Sequence, residues 1–174
     1  MSVYLNNMPI RPLTLLCAML ASLCSMVAFG AEPEGRLFRF ERSTNRNYIC
    51  YDIRQTDGRL DMKEPIHVYW IVAEEGGRQD ELSFIQRKLA FGYKVVSRGD
   101  NEVSIHLTAY SKLVIRICQR DGKWMALAKI GGKEAQLDRL FAQMRSPRSL
   151  RVEYVDLFGR SLDGGAAVTE RIRQ

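Results

Sequence analysis

Apolar and polar side chains alternate along most of this chain. In Leu37–Arg42, Phe38 and Phe40 fall on one side, with Arg39 and Glu41 on the other. Asn47–Ile53 sets Ile49, Tyr51 and Ile53 against Tyr48, Cys50 and Asp52, and Glu102–Thr108 sets Val103, Ile105 and Leu107 against Ser104, His106 and Thr108. Leu113–Gln119 repeats the pattern, with Leu113, Ile115 and Ile117 facing away from Arg116 and Cys118. A period of two is the mark of half-buried antiparallel strands. Ile66–Ala73 is apolar on both faces and reads as a more central strand. Trp124–Ile130, Gln136–Met144, Leu150–Phe158 and Val168–Ile172 complete the set, although Gln136–Met144 would also suit a helix. Asp57-Gly58, Asp121-Gly122 and Gly131-Gly132 sit between such runs and supply the positive φ that tight hairpins require.

One segment keeps a different period. From Asp80 to Phe91, Leu82, Ile85 and Leu89 recur at helical spacing, with acidic residues first, Arg87 and Lys88 later, and Gly92 as a stop. The expectation is a mainly β fold, an antiparallel β-barrel or two-sheet sandwich. It has nine or ten short strands and one inserted amphipathic helix over about 80–91, its stripe of Leu82, Ile85 and Leu89 facing the core. The barrel is preferred, because closure removes exposed edges.

The first thirty residues follow neither pattern. Met1–Arg11 carries one basic side chain and no acidic one, Leu13–Phe29 is apolar, and Ala28-Phe29-Gly30 places small residues before Ala31. That is the layout of an export signal, residues 1–30, cleaved before Ala31. An uncleaved membrane anchor is the alternative, since about twenty apolar residues span a bilayer. Ala31–Gly35 follows as a mobile polar leader, and 36–174 reads as one β-rich domain. Cleavage removes only Arg11 among the charges, taking the formal net charge from +6 to +5. The basic residues thicken toward the C-terminus, which in an exported, periplasmic setting suggests anionic envelope surfaces rather than nucleic acid.

Several stretches resemble a family of exported bacterial proteins catalogued as a domain of unknown function, the one numbered four thousand eight hundred and thirty-three. The matching pieces are Phe38–Tyr51, Pro65–Ile71, Leu82–Lys94 and Val155–Gly159. The resemblance implies a single exported domain and carries over no activity, cofactor or site residue.

The chain carries no glycine-rich phosphate loop, paired-cysteine zinc pattern, HExxH or GxSxG. Its two histidines, His67 and His106, lie on different expected strands, so neither a catalytic triad nor a metal site is expected, and no cofactor. The polar cluster between the first two strands draws attention instead. Arg42, Ser43, Asn45 and Asn47 supply a guanidinium fork, a hydroxyl and two amides that could hold an anion, or merely satisfy their own turn. His67, Tyr69 and Tyr93 are further candidate ligand contacts, although aromatics on strands are commonly core. Cys50 and Cys118 are the thiols left after cleavage, and an oxidising compartment permits a disulfide between them.

Three functions remain open. The first is a non-catalytic exported envelope domain binding a small apolar or amphiphilic ligand, such as an envelope lipid. The second is an interaction module for anionic surfaces or a protein partner. The third is a hydrolase using His67 with the Arg42–Asn47 loop.

Overall fold

The alternating runs become strands, and the sheet they build forks. The computed structural model describes residues 34–147 and 151–173, and the described residues form thirteen strands. These are β1 (Arg36–Arg42), β2 (Tyr48–Ile53), β3 (Gln55–Thr56), β4 (Arg59–Leu60), β5 (Ile66–Val72), β6 (Arg78–Glu81) and β7 (Tyr93–Gly99). Then come β8 (Glu102–Leu107), β9 (Tyr110–Arg120), β10 (Lys123–Ile130), β11 (Lys133–Met144), β12 (Val152–Ser161) and β13 (Ala167–Arg173). The expected export signal and Ala31–Pro33 lie outside the described residues. Of the leader, Glu34 and Gly35 form a turn in which the Gly35 carbonyl accepts from Ile53 N–H at 2.9 Å.

The main sheet runs β6-β5-β2-β1-β11-β10-β9-β8-β7, and β12 and β13 extend from the other edge of β11. That strand is the fork. Its first part pairs antiparallel with β10, from Lys133↔Ile130 to Gln136↔Leu127. Its later part pairs with β1, from Arg139↔Arg39 to Ala142↔Arg42, and there the strands are parallel. The two arms therefore diverge from one edge and curl toward each other as a half-barrel. The all-antiparallel expectation is corrected at β1–β11, and the hydrogen-bonded path ends at β6 and β7 rather than closing. A close approach helps β12 follow the bend: a Cβ on Gly159 would lie 2.2 Å from the Gln136 carbonyl oxygen, so only glycine fits there.

Inside the curl lie Phe38, Ile49, Tyr51, Ile66, Ile105, Ile115, Ile117, Leu137, Leu140 and Leu157, each almost fully buried. Each such side chain contributes roughly 1.5–3 kcal/mol relative to exposure. Phe38 and Tyr51 stack across β1 and β2 at 4.3 Å. The three expected hairpin turns have positive φ at both central residues: Asp57 and Gly58, Asp121 and Gly122, Gly131 and Gly132.

The helix is shorter than its sequence period suggests. Asp80 and Glu81 pair with Trp70 and Tyr69 as part of edge strand β6. Ser83 then caps α1 (Phe84–Gln86), its Oγ accepting from Gln86 N–H while Gln86 Oε1 accepts from Ser83 N–H. The segment continues as a π-helix over Arg87–Phe91, closed where Gly92 N–H donates to the Arg87 carbonyl. The expected buried stripe is also corrected. Leu82 is buried but precedes the helix, whereas Ile85 and Leu89 are 67% and 68% exposed, beside Phe84 at 75%. The sheet edge captured the first residues and rotated the rest outward.

The two ends of the half-barrel differ. Beyond Ile53, the segment Gln55–Met62 covers one end, and Leu60 is buried in the core with Met62 packed beside it. Leu60 N–H donates to Asn101 Oδ1 at 3.0 Å, Trp124 Nε1–H to Gln55 Oε1 at 2.9 Å, and Arg98 to the Met62 carbonyl. The opposite end, at the close of β1, carries the β8–β9 turn, the last residues of β11 and, through Phe91, the end of the helical segment.

Candidate ligand-binding site

The polar loop expected to bind an anion sits at that second end, and its residues divide by role. Ser43 is structural: its N–H donates to the Ala142 carbonyl, and its Oγ accepts from Met144 N–H at 3.0 Å, which extends the parallel β1–β11 pairing. Asn45 is exposed. Arg42 and Asn47 follow the Glu41↔Tyr48 pair at the ends of β1 and β2, and alternation places both on the inner face with Phe40 and Ile49.

Arg42 is half-buried, its guanidinium 5.2 Å from the Trp70 ring centre and 5.3 Å from that of Phe91. The rings meet edge to face at 5.2 Å, and Phe40 tilts against Phe91 at 5.8 Å. Arg42 Nε and Asn47 Oδ1 are both buried without a hydrogen-bond partner among the described residues. An orphaned buried polar group costs about 1–3 kcal/mol, more when charged. Desolvation pulls the Arg42 pKa down from its ordinary value, yet a guanidinium remains charged at neutral pH.

Next to these residues is an apolar cavity of about 50 Å³ lined by Phe40, Tyr51, Ala90, Phe91, Leu107, Ala109, Tyr110, Leu140 and Val155. Tyr51 turns its hydroxyl away to the Phe91 carbonyl at 2.8 Å. Phe40, Ala109, Tyr110 and Val155 also wall an open groove of about 380 Å³, completed by Ala142, Val152, Arg145 and Arg151. The cavity alone has room for little more than water; cavity and groove together suit a short chain with a polar end.

The remaining expected contacts lie elsewhere. His67 and Tyr69 project from the outer face of β5, ring centres 4.8 Å apart. Tyr69 O–H donates to Asp52 Oδ2 at 2.6 Å and accepts from Arg36 at 3.0 Å, while Arg36 also pairs with Asp52. Burial, followed by the Asp52 hydrogen bond, pushes the Tyr69 phenol up. His67 Nε2 lies 2.7 Å from Glu81 Oε1, and Arg87 joins Glu81 to Glu64. Tyr93 points inward, its hydroxyl on the backbone of Ile66. The structure therefore sets Arg42 and Asn47 together at the strand ends, with Arg42 packed on the cavity-wall residue Phe91, puts His67 and Tyr69 on the far face of the sheet, and leaves Tyr93 as a core strut.

Cys50 and Cys118 are not joined by a disulfide and both are buried, which corrects the expected pairing and the expected accessibility. They occupy outward positions on β2 and β9, with β1, β11 and β10 between those strands in the sheet order. Outward-facing residues on separate arms cannot bridge without moving backbone. Burial raises the Cys118 pKa.

The basic C-terminal third is largely paired where it is described. Arg139 meets Glu41, Arg160 meets Asp138, and Arg171 meets Asp156. Arg145 and Arg151 border the groove. No helix among the described residues is long and apolar enough to cross a membrane.

Sequence reasoning singled out Arg42 and Asn47 but missed Phe40, Tyr110 and Val155 as groove walls. Those residues come from three distant strand ends, and no local signal links them. The family model described as Domain of unknown function (DUF4833) matches residues 38–171, and the chain belongs to that family. No curated protein and no solved structure matches it.

Proposed function

We propose that this DUF4833 chain is a non-catalytic, exported envelope domain that binds a small amphiphile, with the apolar part along the Phe40–Tyr110–Val155 groove. The observation that carries the reading is the continuity of an apolar cavity with an open groove whose rim holds cations. Apolar walls drive binding through area removed from water, and the few polar groups set orientation. The signal-like pattern of Met1–Gly30 supports export, and the periplasm is the compartment in which such a domain meets lipids and their fragments. The pairing of His67 with Glu81 on the outer face, away from the groove, favours binding over hydrolysis.

Displacement of an apolar fluorescent probe tests it. Alkyl amphiphiles of eight to fourteen carbons should displace the probe saturably from the mature protein and perturb Trp70 emission. Absence of saturable displacement by any of them would overturn the proposal.

A second reading, an interaction module for an anionic surface, draws on Phe84, Ile85 and Leu89, which are exposed around Lys88. Salt-sensitive sedimentation with anionic vesicles, lost in Leu89→Asp, would favour it.

A further inference from the structure

We propose that Arg42, with Asn47 beside it, is the recognition site for an oxyanion headgroup on the amphiphile, a carboxylate or a phosphate monoester. This rests on the groove reading above and adds the charge and chemistry of the ligand.

Four observations converge. First, Arg42 stands apart from the other arginines of its sheet region. Arg36, Arg39, Arg54, Arg87 and Arg139 each meet a carboxylate, whereas Arg42 Nε is buried with no acceptor among the described residues. An inward, desolvated cation without its counter-charge is expensive to keep, and such groups persist where a ligand supplies the missing partner. Second, Trp70 and Phe91 hold the guanidinium at 5.2 and 5.3 Å. Packing against rings fixes its orientation before any anion arrives, so less freedom is lost on binding.

Third, Asn47 Oδ1 is a second buried orphan at the adjoining end of β2. Rotation of the amide by half a turn presents its NH₂ in place of the oxygen, so the side chain can donate to a carboxylate or accept from a protonated phosphate oxygen. Fourth, the position is right for a headgroup. Arg42 lies two residues beyond Phe40 on the same face and pairs in register with Ala142, and both Phe40 and Ala142 wall the groove. A chain lying over Phe40 would bring its polar end to Arg42, with Arg145 and Arg151 adding positive potential at the rim.

The test compares three ligands of one chain length on the mature protein: laurate, dodecyl phosphate and dodecanol, each displacing the same apolar probe. Wild type should bind at least one of the two anions about 10- to 100-fold more tightly than dodecanol, the range expected when a charge-assisted hydrogen bond is gained. Preference for laurate or for dodecyl phosphate identifies the oxyanion. Arg42→Gln should reduce the anion preference over dodecanol to within about 2-fold, a readout that a merely structural arginine would not move. Arg42→Lys, which keeps the charge on the rings, should retain part of it and serves if Arg42→Gln does not fold. Equal affinity of wild type for all three ligands, or an undiminished preference in Arg42→Gln, would overturn this inference and leave the groove reading standing. Failure of all three to bind would remove both.

Discussion

The two ends of the half-barrel are made from the same materials and finished differently. At the end beyond Ile53, Leu60 is pushed into the core, and the groups around it are matched: Leu60 N–H with Asn101, Trp124 with Gln55, Arg98 with the Met62 carbonyl. At the end beyond Phe40, an apolar cavity meets an open groove, and Arg42 and Asn47 each keep a buried atom without a partner. Buried polar groups in stable proteins are ordinarily satisfied. The closed end follows that rule and reads as structure; the open end breaks it at two adjoining positions, which is where a ligand would complete the set.

The largest expected effect is on the closed end. Leu60→Ala removes a side chain that is only 5% exposed, and denaturant unfolding should register a loss of about 2–4 kcal/mol. Amphiphile binding at the far end should persist in this variant under native conditions. A loss well below 1 kcal/mol would mean that Leu60 is no stopper.

Arg42→Leu should behave in the opposite way, losing the preference for an anionic headgroup while keeping stability. Removing a desolvated, unpaired charge is favourable, and losing the contacts with Trp70 and Phe91 is unfavourable by roughly 0.5–1 kcal/mol each. The net change in unfolding free energy should lie within about 1 kcal/mol of zero. A loss of about 3–5 kcal/mol is what breaking a buried ion pair does, and it would make Arg42 a structural residue with a partner.

An exposed pair sets the baseline for both ends. Two hydrogen bonds from Arg171 hold the Asp156 carboxyl below its usual pKa. A depressed folded-state pKa contributes stability above the unfolded value, near 3.9, and loses it as pH falls through the folded one. Asp156→Asn should therefore cost about 0.5 kcal/mol at neutral pH and flatten the acid limb of the stability curve below about pH 4. An unchanged acid limb would show that the pair is not formed in solution.

The smallest effect belongs to the π-helix that follows α1. Leu89 is 68% exposed, so Leu89→Ala should change stability by less than about 0.5 kcal/mol. A loss above 2 kcal/mol would restore the buried stripe that the sequence period suggested.

That helix shows where the sequence stops being legible. Period two, or for β5 a run apolar on both faces, marked every long strand but β7, whose edge position leaves Lys94, Val96 and Arg98 exposed and whose register shifts between Val95 and Ser97. Turn residues located three hairpins correctly, because positive φ is a local requirement. The fork at β11 left no local trace, since one edge divided between β10 and β1 is decided by tertiary pairing. For the same reason Asp80 and Glu81, acidic residues suited to a helix start, were taken by the free edge of β5. At the site, the polar loop was visible as a composition, but which members are orphaned depends on neighbours about a hundred residues away: Ser43 finds Met144, whereas Arg42 packs on two rings and its Nε meets no acceptor among the described residues.

Hydrogen–deuterium exchange with and without the tightest-binding dodecyl ligand compares the two ends directly. Protection should rise at Ala90 and Phe91, at Ala109 and Tyr110 and over Val152–Val155, and should stay unchanged over Gln55–Met62. Protection centred on Gln55–Met62, or spread evenly over both ends, would contradict the account.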